Sequence, residues 1–168
     1  MLIGIDGNEA NTKNRVGIGQ YAYNFLIHIN KLDKKNNYII YLKNPPLPDL
    51  PKPSKNWQYK VFGPKKLWTR FALPIKLYTQ STPLSLFFSP SHYSPRFSPC
   101  PTITSIMDLG FLKYPNQFTK KDLYQLTNWT RNSAKKAHHI ITISKFTKSQ
   151  IIKLYNIPPN KITIAYPG

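Results

Sequence analysis

The sequence predicts an α/β fold: a mostly parallel sheet with helices packed on both faces. Three observations predict it. Short apolar runs alternate with longer segments whose apolar residues recur at helical spacing. Several of those runs are apolar throughout, as strands buried on both faces require. The 168 residues carry 40% hydrophobic content, enough for one buried core. No internal repeat or linker interrupts the pattern, so the expectation is one domain over 1–168.

The elements follow in order. "MLIGID" is an apolar run ending in Asp6 and reads as a buried strand. A polar loop, "GNEANTKNRVG", leads to helical spacing at Ile18, Tyr21, Ala22, Phe25, Leu26 and Ile29, ended by "DKKNN". "NYIIYLK" (37–43) and "WQYKVF" (57–62) read as strands. Between them, 44–56 holds five prolines in thirteen residues, so helix is impossible there. The pattern over 65–80 predicts an amphipathic helix kinked or broken at Pro74. Short strands are expected within 83–95 and 101–111.

A long helix follows over 118–139, with Thr119 and Asp122 placed to cap it. "HIITIS" (139–144) is a strand, and Ser144 caps the helix behind it. "IPPNKITIAYPG" closes as a turn and a strand.

The net charge is +18, from twenty-four Lys and Arg against six Asp and Glu. Such a field attracts polyanions and anionic membranes. The abundance of Asn, Ile, Tyr and Phe offers compositional bias as an equal account of the lysines. No zinc-finger, RNP-type or helix-turn-helix pattern occurs, so nucleic acid is not the expected partner. Cys100 is the one cysteine, so no intrachain disulfide can form; it reads as structural. No metal-ligand spacing such as CxxC or HExxH appears, and no metal is expected. No apolar run is long enough to span a bilayer, and no signal-peptide pattern opens the chain. The expected location is therefore cytoplasmic, and the sequon at 128–130 carries no weight.

In an open parallel sheet, ligands sit beyond the carboxyl ends of the strands. That edge should gather Asp6, the loop with Gly17, Ile18, Gly19 and Tyr21, the Ser91-His92 stretch, Met107-Asp108 and Ser144. Backbone amides at a helix start bind anions, and glycine lets an anion approach. The spacing fits neither a dinucleotide fingerprint nor a P-loop, so a tight loop without ligand stays open as an alternative. Glu9 faces either the same cleft or solvent. Lys148, like Lys145, sits in a helix's first turn, where an anionic ligand or compositional bias would account for a cation. His138 and His139 read as structural. The segment 65–80 combines Trp68, Phe71 and aliphatic residues with Lys65, Lys66, Arg70 and Lys76. It suits either a core helix with a solvated basic face or a helix lying on an anionic membrane.

The stretches "IGIDGNEAN…VGIGQYAYNFL", "FFSPSHYSP", "TITSIMDLGFLKYP", "AHHIITISKFTKSQIIKLY" and "IPPNKITIAYPG" together resemble, in order and spacing, the N-terminal domain of family 4 glycosyltransferases. Those are retaining enzymes with two Rossmann-like domains, the GT-B architecture. The resemblance implies an acceptor-binding half, with a nucleotide-sugar as co-substrate and a glycan or lipid-linked acceptor. It places the Gly17–Gly19 loop near the donor diphosphate, His92 near the acceptor, and Asp108 among the catalytic residues. One departure is Met107, which stands where the family commonly has His; methionine cannot donate a hydrogen bond or carry a proton. The other is that the sequence closes at "YPG", where the resemblance ends the first domain. The expectation is half an enzyme, completed by a donor domain in cis or in trans and inactive by itself. The rival class is a basic binding module for a membrane surface, a partner domain or nucleic acid.

Overall fold

The computed structural model describes residues 1–167; Gly168, the last residue of the closing stretch, lies outside them. Seven strands form one sheet: β1 (Leu2–Asp6), β2 (Asn37–Leu42), β3 (Trp57–Val61), β4 (Leu86–Ser89), β5 (Thr102–Ile106), β6 (His139–Thr142) and β7 (Ile162–Ile164). Their order is β3-β2-β1-β4-β5-β6-β7, and every neighbouring pair is parallel. The helices are α1 (Ile18–Leu32), α2 (Ala72–Thr79), α3 (Gly110–Lys113), α4 (Lys120–Lys136) and α5 (Lys145–Tyr155). The α/β, Rossmann-like expectation holds, as one half of a GT-B architecture would have it.

Handedness decides which face each helix covers. The chain first steps from β1 to β2 to β3, then returns across the sheet and steps the other way to β7. Right-handed crossovers taken in opposite directions lie on opposite faces. Accordingly Ala22 and Leu26 of α1, with Leu50 of the proline-rich loop, pack on Ile5, Ile40 and Phe88. Leu73 and Leu77 of α2 pack on the other side, against Ile39, Tyr41 and Phe87. Ala134 of α4 and Ile151 of α5 cover Ile106, Ile140 and Ile162. Alternation along the strands makes this possible: Ile39/Ile40 and Phe87/Phe88 feed opposite cores.

The 65–80 segment departs from expectation. Only Ala72–Thr79 is helical. Residues 66–71 turn instead, with Leu67 at φ 53°. Trp68 is buried, and its indole N–H donates to the Phe62 carbonyl at 3.0 Å, which anchors the turn. Pro74 does not kink the helix: it lies in the first turn, where its missing N–H has no intrahelical partner to lose. The α2 face opposite the core exposes Phe71, Ile75 and Tyr78. The other expected elements form within a few residues of their predicted bounds, Thr119 caps α4, and the short α3 is an addition.

Candidate functional site

The order of the strands reverses between β1 and β4, so the connections leaving those two strands diverge and open a crevice at their carboxyl ends. Asp6 ends β1 there and is buried. Its Oδ1 accepts from the Asn8 backbone N–H at 3.0 Å and from Asn8 Nδ2 at 2.7 Å. Burial nevertheless pushes its pKa up to about 6, with the nearby Glu9 adding to the shift. Glu9 is itself raised by burial, and Lys43, at the end of β2, opposes the rise in both. Lys43 was not singled out in the sequence; its place directly after an apolar strand is the only hint.

The loop from β1 to α1 is fixed in shape. The Asn8 Oδ1 accepts the Lys43 N–H at 2.9 Å, and the Asn11 side chain bonds Pro45 O at 2.9 Å and the Leu47 N–H at 2.8 Å. The Arg15 guanidinium clamps Asp49 through two bonds of 2.5 and 3.0 Å. These contacts tie the proline-rich loop to the start of α1.

The two glycines do different jobs. Gly17 precedes α1 with φ 48° and ψ −111°, a conformation side chains disfavour, and its front is open: a Cβ would meet nothing within 4 Å. Gly19 is buried, and a Cβ there would stand 3.2 Å from the Glu9 carbonyl. Gly19 thus serves the loop's own closure rather than an open approach. No side chain caps α1, and the N–H groups of Ile18 and Gln20 have no acceptor among the described residues. Tyr21, one turn in, reaches across to β5, its hydroxyl 3.3 Å from Ser105 Oγ.

The opposite wall of the crevice comes from the loops after β4 and β5. Ser91 is buried and turns the loop: its Oγ accepts the Tyr93 N–H at 3.3 Å, and its carbonyl accepts from Thr104 Oγ1 at 2.8 Å. His92 packs its ring edge-on to Phe111, at 6.3 Å between centroids, and its Nδ1 is covered with no partner. Burial lowers its pKa, and the Asp108 carboxylate pulls the other way. Asp108 is exposed, with Oδ1 accepting the Gly110 N–H at 2.8 Å. Met107 is buried; its carbonyl accepts from Thr147 Oγ1 at 3.0 Å.

Two of the sequence candidates are committed elsewhere. Ser144 Oγ accepts the Thr147 N–H at 3.0 Å and so closes the start of α5. Lys148 Nζ donates to the Ile162 carbonyl of β7 at 2.6 Å, so one of its three N–H groups supports the sheet. Asp6, Glu9, the α1 start, Ser91, His92, Met107 and Asp108 all lie at strand ends, or in the segments directly following them, along one sheet edge. Among the described residues no group of three or more His, Cys, Asp or Glu is placed to hold a metal ion.

The family model described as Glycosyltransferase Family 4 matches residues 30–168. The match begins inside α1, so β1 and the glycine loop stand upstream of the matched span. No curated protein matches the chain. An all-parallel sheet with its crevice at the β1–β4 reversal, and a family match running from α1 through β7, place this chain in glycosyltransferase family 4.

Proposed function

We propose that this chain is the acceptor-side domain of a retaining glycosyltransferase, moving a hexose from a nucleotide-sugar to a glycan or lipid-linked acceptor. Family membership supports glycosyl transfer and the two substrate classes. The observation that carries the finer reading is the uncapped start of α1 at the crevice. Charge develops on the diphosphate as the sugar leaves, and preorganised N–H donors stabilise it. The amides of Ile18 and Gln20, at the positive end of a 15-residue helix, are such donors. Gly17 keeps the approach clear.

Across the crevice His92 is held neutral near pH 7 by its burial, so one ring nitrogen can donate and the other accept. It is the candidate to orient the acceptor hydroxyl, a role Met107 cannot take. Asp108 lies beside it. Most of the contacts to the nucleotide would come from a donor domain, in cis or in trans, and no metal is required.

The test has two parts. Titration with pyrophosphate, followed by amide NMR, is expected to move the Ile18 and Gln20 signals first. The gene product bearing this chain, given a panel of nucleotide-sugars, is expected to yield a product of unchanged anomeric configuration. Inversion, or no response at α1, sinks the reading.

A membrane-facing role is favoured by one further observation. Leu67, Phe71, Ile75 and Tyr78 are exposed in a stripe beside Lys65, Lys66 and Arg70. An apolar ridge rimmed by cations suits the surface of an anionic bilayer, which would place the protein at the inner face of the cytoplasmic membrane. No described helix is long and apolar enough to cross one. Flotation with vesicles containing anionic phospholipid is expected to depend on Phe71 and Ile75. Equal flotation of the F71D/I75D variant would remove α2 from this role.

A further inference from the structure

On the face that carries α2, α4 and α5, every crossover is helical except one. The connection from β4 to β5 runs through residues 90–101 without a helix. A helix-wide trough is therefore left between α2 and α4. It contains two cavities, of about 260 and 240 Å³, and Arg96 lines both. The first lies between the turn before α2, the loop after β4 and α4; Arg70, Tyr93, Tyr124, Asn128 and Asn132 line it. The second continues along the loop past Phe97 to Lys136 and His138.

The charge in this trough is one-sided. No Asp or Glu lines either cavity among the described residues. Arg70 and Arg96 have no ion-pair partner; the one salt bridge among the described residues is Arg15–Asp49, elsewhere in the molecule. The walls are nonetheless fixed. Tyr93 packs edge-on to Trp129 at 5.5 Å, and the Arg70 guanidinium lies 5.7 Å from the Trp129 ring. The Ser94 N–H donates to Ser133 Oγ at 2.9 Å, and Lys136 Nζ donates to the Arg96 carbonyl at 3.0 Å. Loop and helix are thereby pinned together.

We propose that this trough binds an acidic saccharide, a sugar bearing a carboxylate or phosphate group. Guanidinium forks match either anion through paired N–H bonds. The rest of the lining suits a polyol. Asn128 uses its Nδ2 on the Tyr124 carbonyl, at 3.0 Å; among the described residues its Oδ1 and the Asn132 amide have no partner. Amides of this kind both donate to and accept from hydroxyls. Tyr124 presents an exposed ring against which a sugar's C–H face can pack. Neutral polar side chains outnumber the cations in the first cavity, whereas a nucleic-acid strand calls for a longer cationic track. Because Tyr93 directly follows His92, the upper end opens beside the crevice. The saccharide would then be an acceptor glycan extending away from the reacting hydroxyl, a role that rests on the glycosyl-transfer reading; the binding itself does not.

Tryptophan fluorescence tests it, because Trp129 lines the trough while Trp57 and Trp68 are buried and line neither cavity. The probes are trigalacturonate and glucose 6-phosphate for the two anionic groups, maltotriose as neutral control, inorganic phosphate, and a thymidine hexanucleotide. Saturable binding of one acidic sugar is expected, weakened roughly tenfold by R70Q and by R96Q. A K31Q/K153Q variant, remote from the trough, should bind within about twofold of the parent, as a site rather than the overall +18 field requires. Side-chain amide NMR signals of Asn128 and Asn132 give a second readout that needs no tryptophan. Equal binding of maltotriose, equal loss in K31Q/K153Q, or equally Arg-dependent binding of inorganic phosphate or the hexanucleotide overturns the proposal. The pyrophosphate response at Ile18 and Gln20 is independent of all these outcomes, so failure here leaves the glycosyl-transfer reading standing.

Discussion

The β1–α1 and β6–α5 junctions are the same device twice: a parallel strand ends at the crevice edge and a helix starts behind it. The second carries a side-chain cap. Thr142 ends β6 and its hydroxyl donates to the Ile106 carbonyl at 2.7 Å; Ser144 then caps α5. The first is left open. A buried acid ends β1, no side chain caps α1, and a glycine in a conformation that side chains disfavour holds the approach clear. Hydroxyls cap α4 and α5, whereas α1, like α2 and the short α3, has no side-chain cap. On the proposed reading, the free donors at this braced loop are the place kept for the leaving diphosphate.

Three substitutions sharpen or break that contrast. The largest effect is expected at Asp6. Its raised pKa means the fold disfavours the charged form, so the penalty is absent below the ordinary value of 3.8, grows through the interval to about 6, and is complete above it. D6N should therefore be more stable than the parent at about pH 7.5, by up to about 3 kcal/mol, with the gain gone near pH 4. Urea melts at the two pH values read this directly; a gain that persists at the acid end would mean the carboxylate is not strained by burial.

G17A comes next. Its backbone conformation is expected to cost about 1–3 kcal/mol with a side chain present, and pyrophosphate binding at Ile18 should fall with it. Unchanged binding would show that the open front of Gly17 serves no ligand. The smallest effect belongs to S144A, a loss of about 1 kcal/mol in stability with pyrophosphate affinity untouched. If S144A instead weakened anion binding as much as G17A, the two junctions would not differ in kind.

Local signals were legible where local physics sets the outcome. Apolar runs marked the strands, and Thr119 and Ser144 marked helix starts because capping involves neighbours three residues apart. The reversal of strand order was not legible, yet the edge it creates gathers most of the candidate residues, because any loop leaving the carboxyl end of a parallel strand arrives there. The bond from Lys148 to Ile162 was not legible, since Ile162 lies on a strand that only the fold brings alongside α5. The 65–80 pattern was misread for a similar reason. Seven consecutive residues looked helical in isolation, but burying Trp68 against Phe62 bent the chain into turns first.

By itself, then, the sequence determined the alternation of elements, the parallel sheet, the caps and the family resemblance. All of these depend on composition and on spacing along the chain. The tertiary structure alone decided that Gly19 closes the loop while Gly17 faces outward. It likewise decided that Asp6 is buried enough to raise its pKa, that α2 turns an apolar stripe to solvent, and that two arginines distant in sequence share a trough with no acid among its described lining residues. Each of these is set by what another segment places within a few ångströms, and no spacing along the chain encodes that distance.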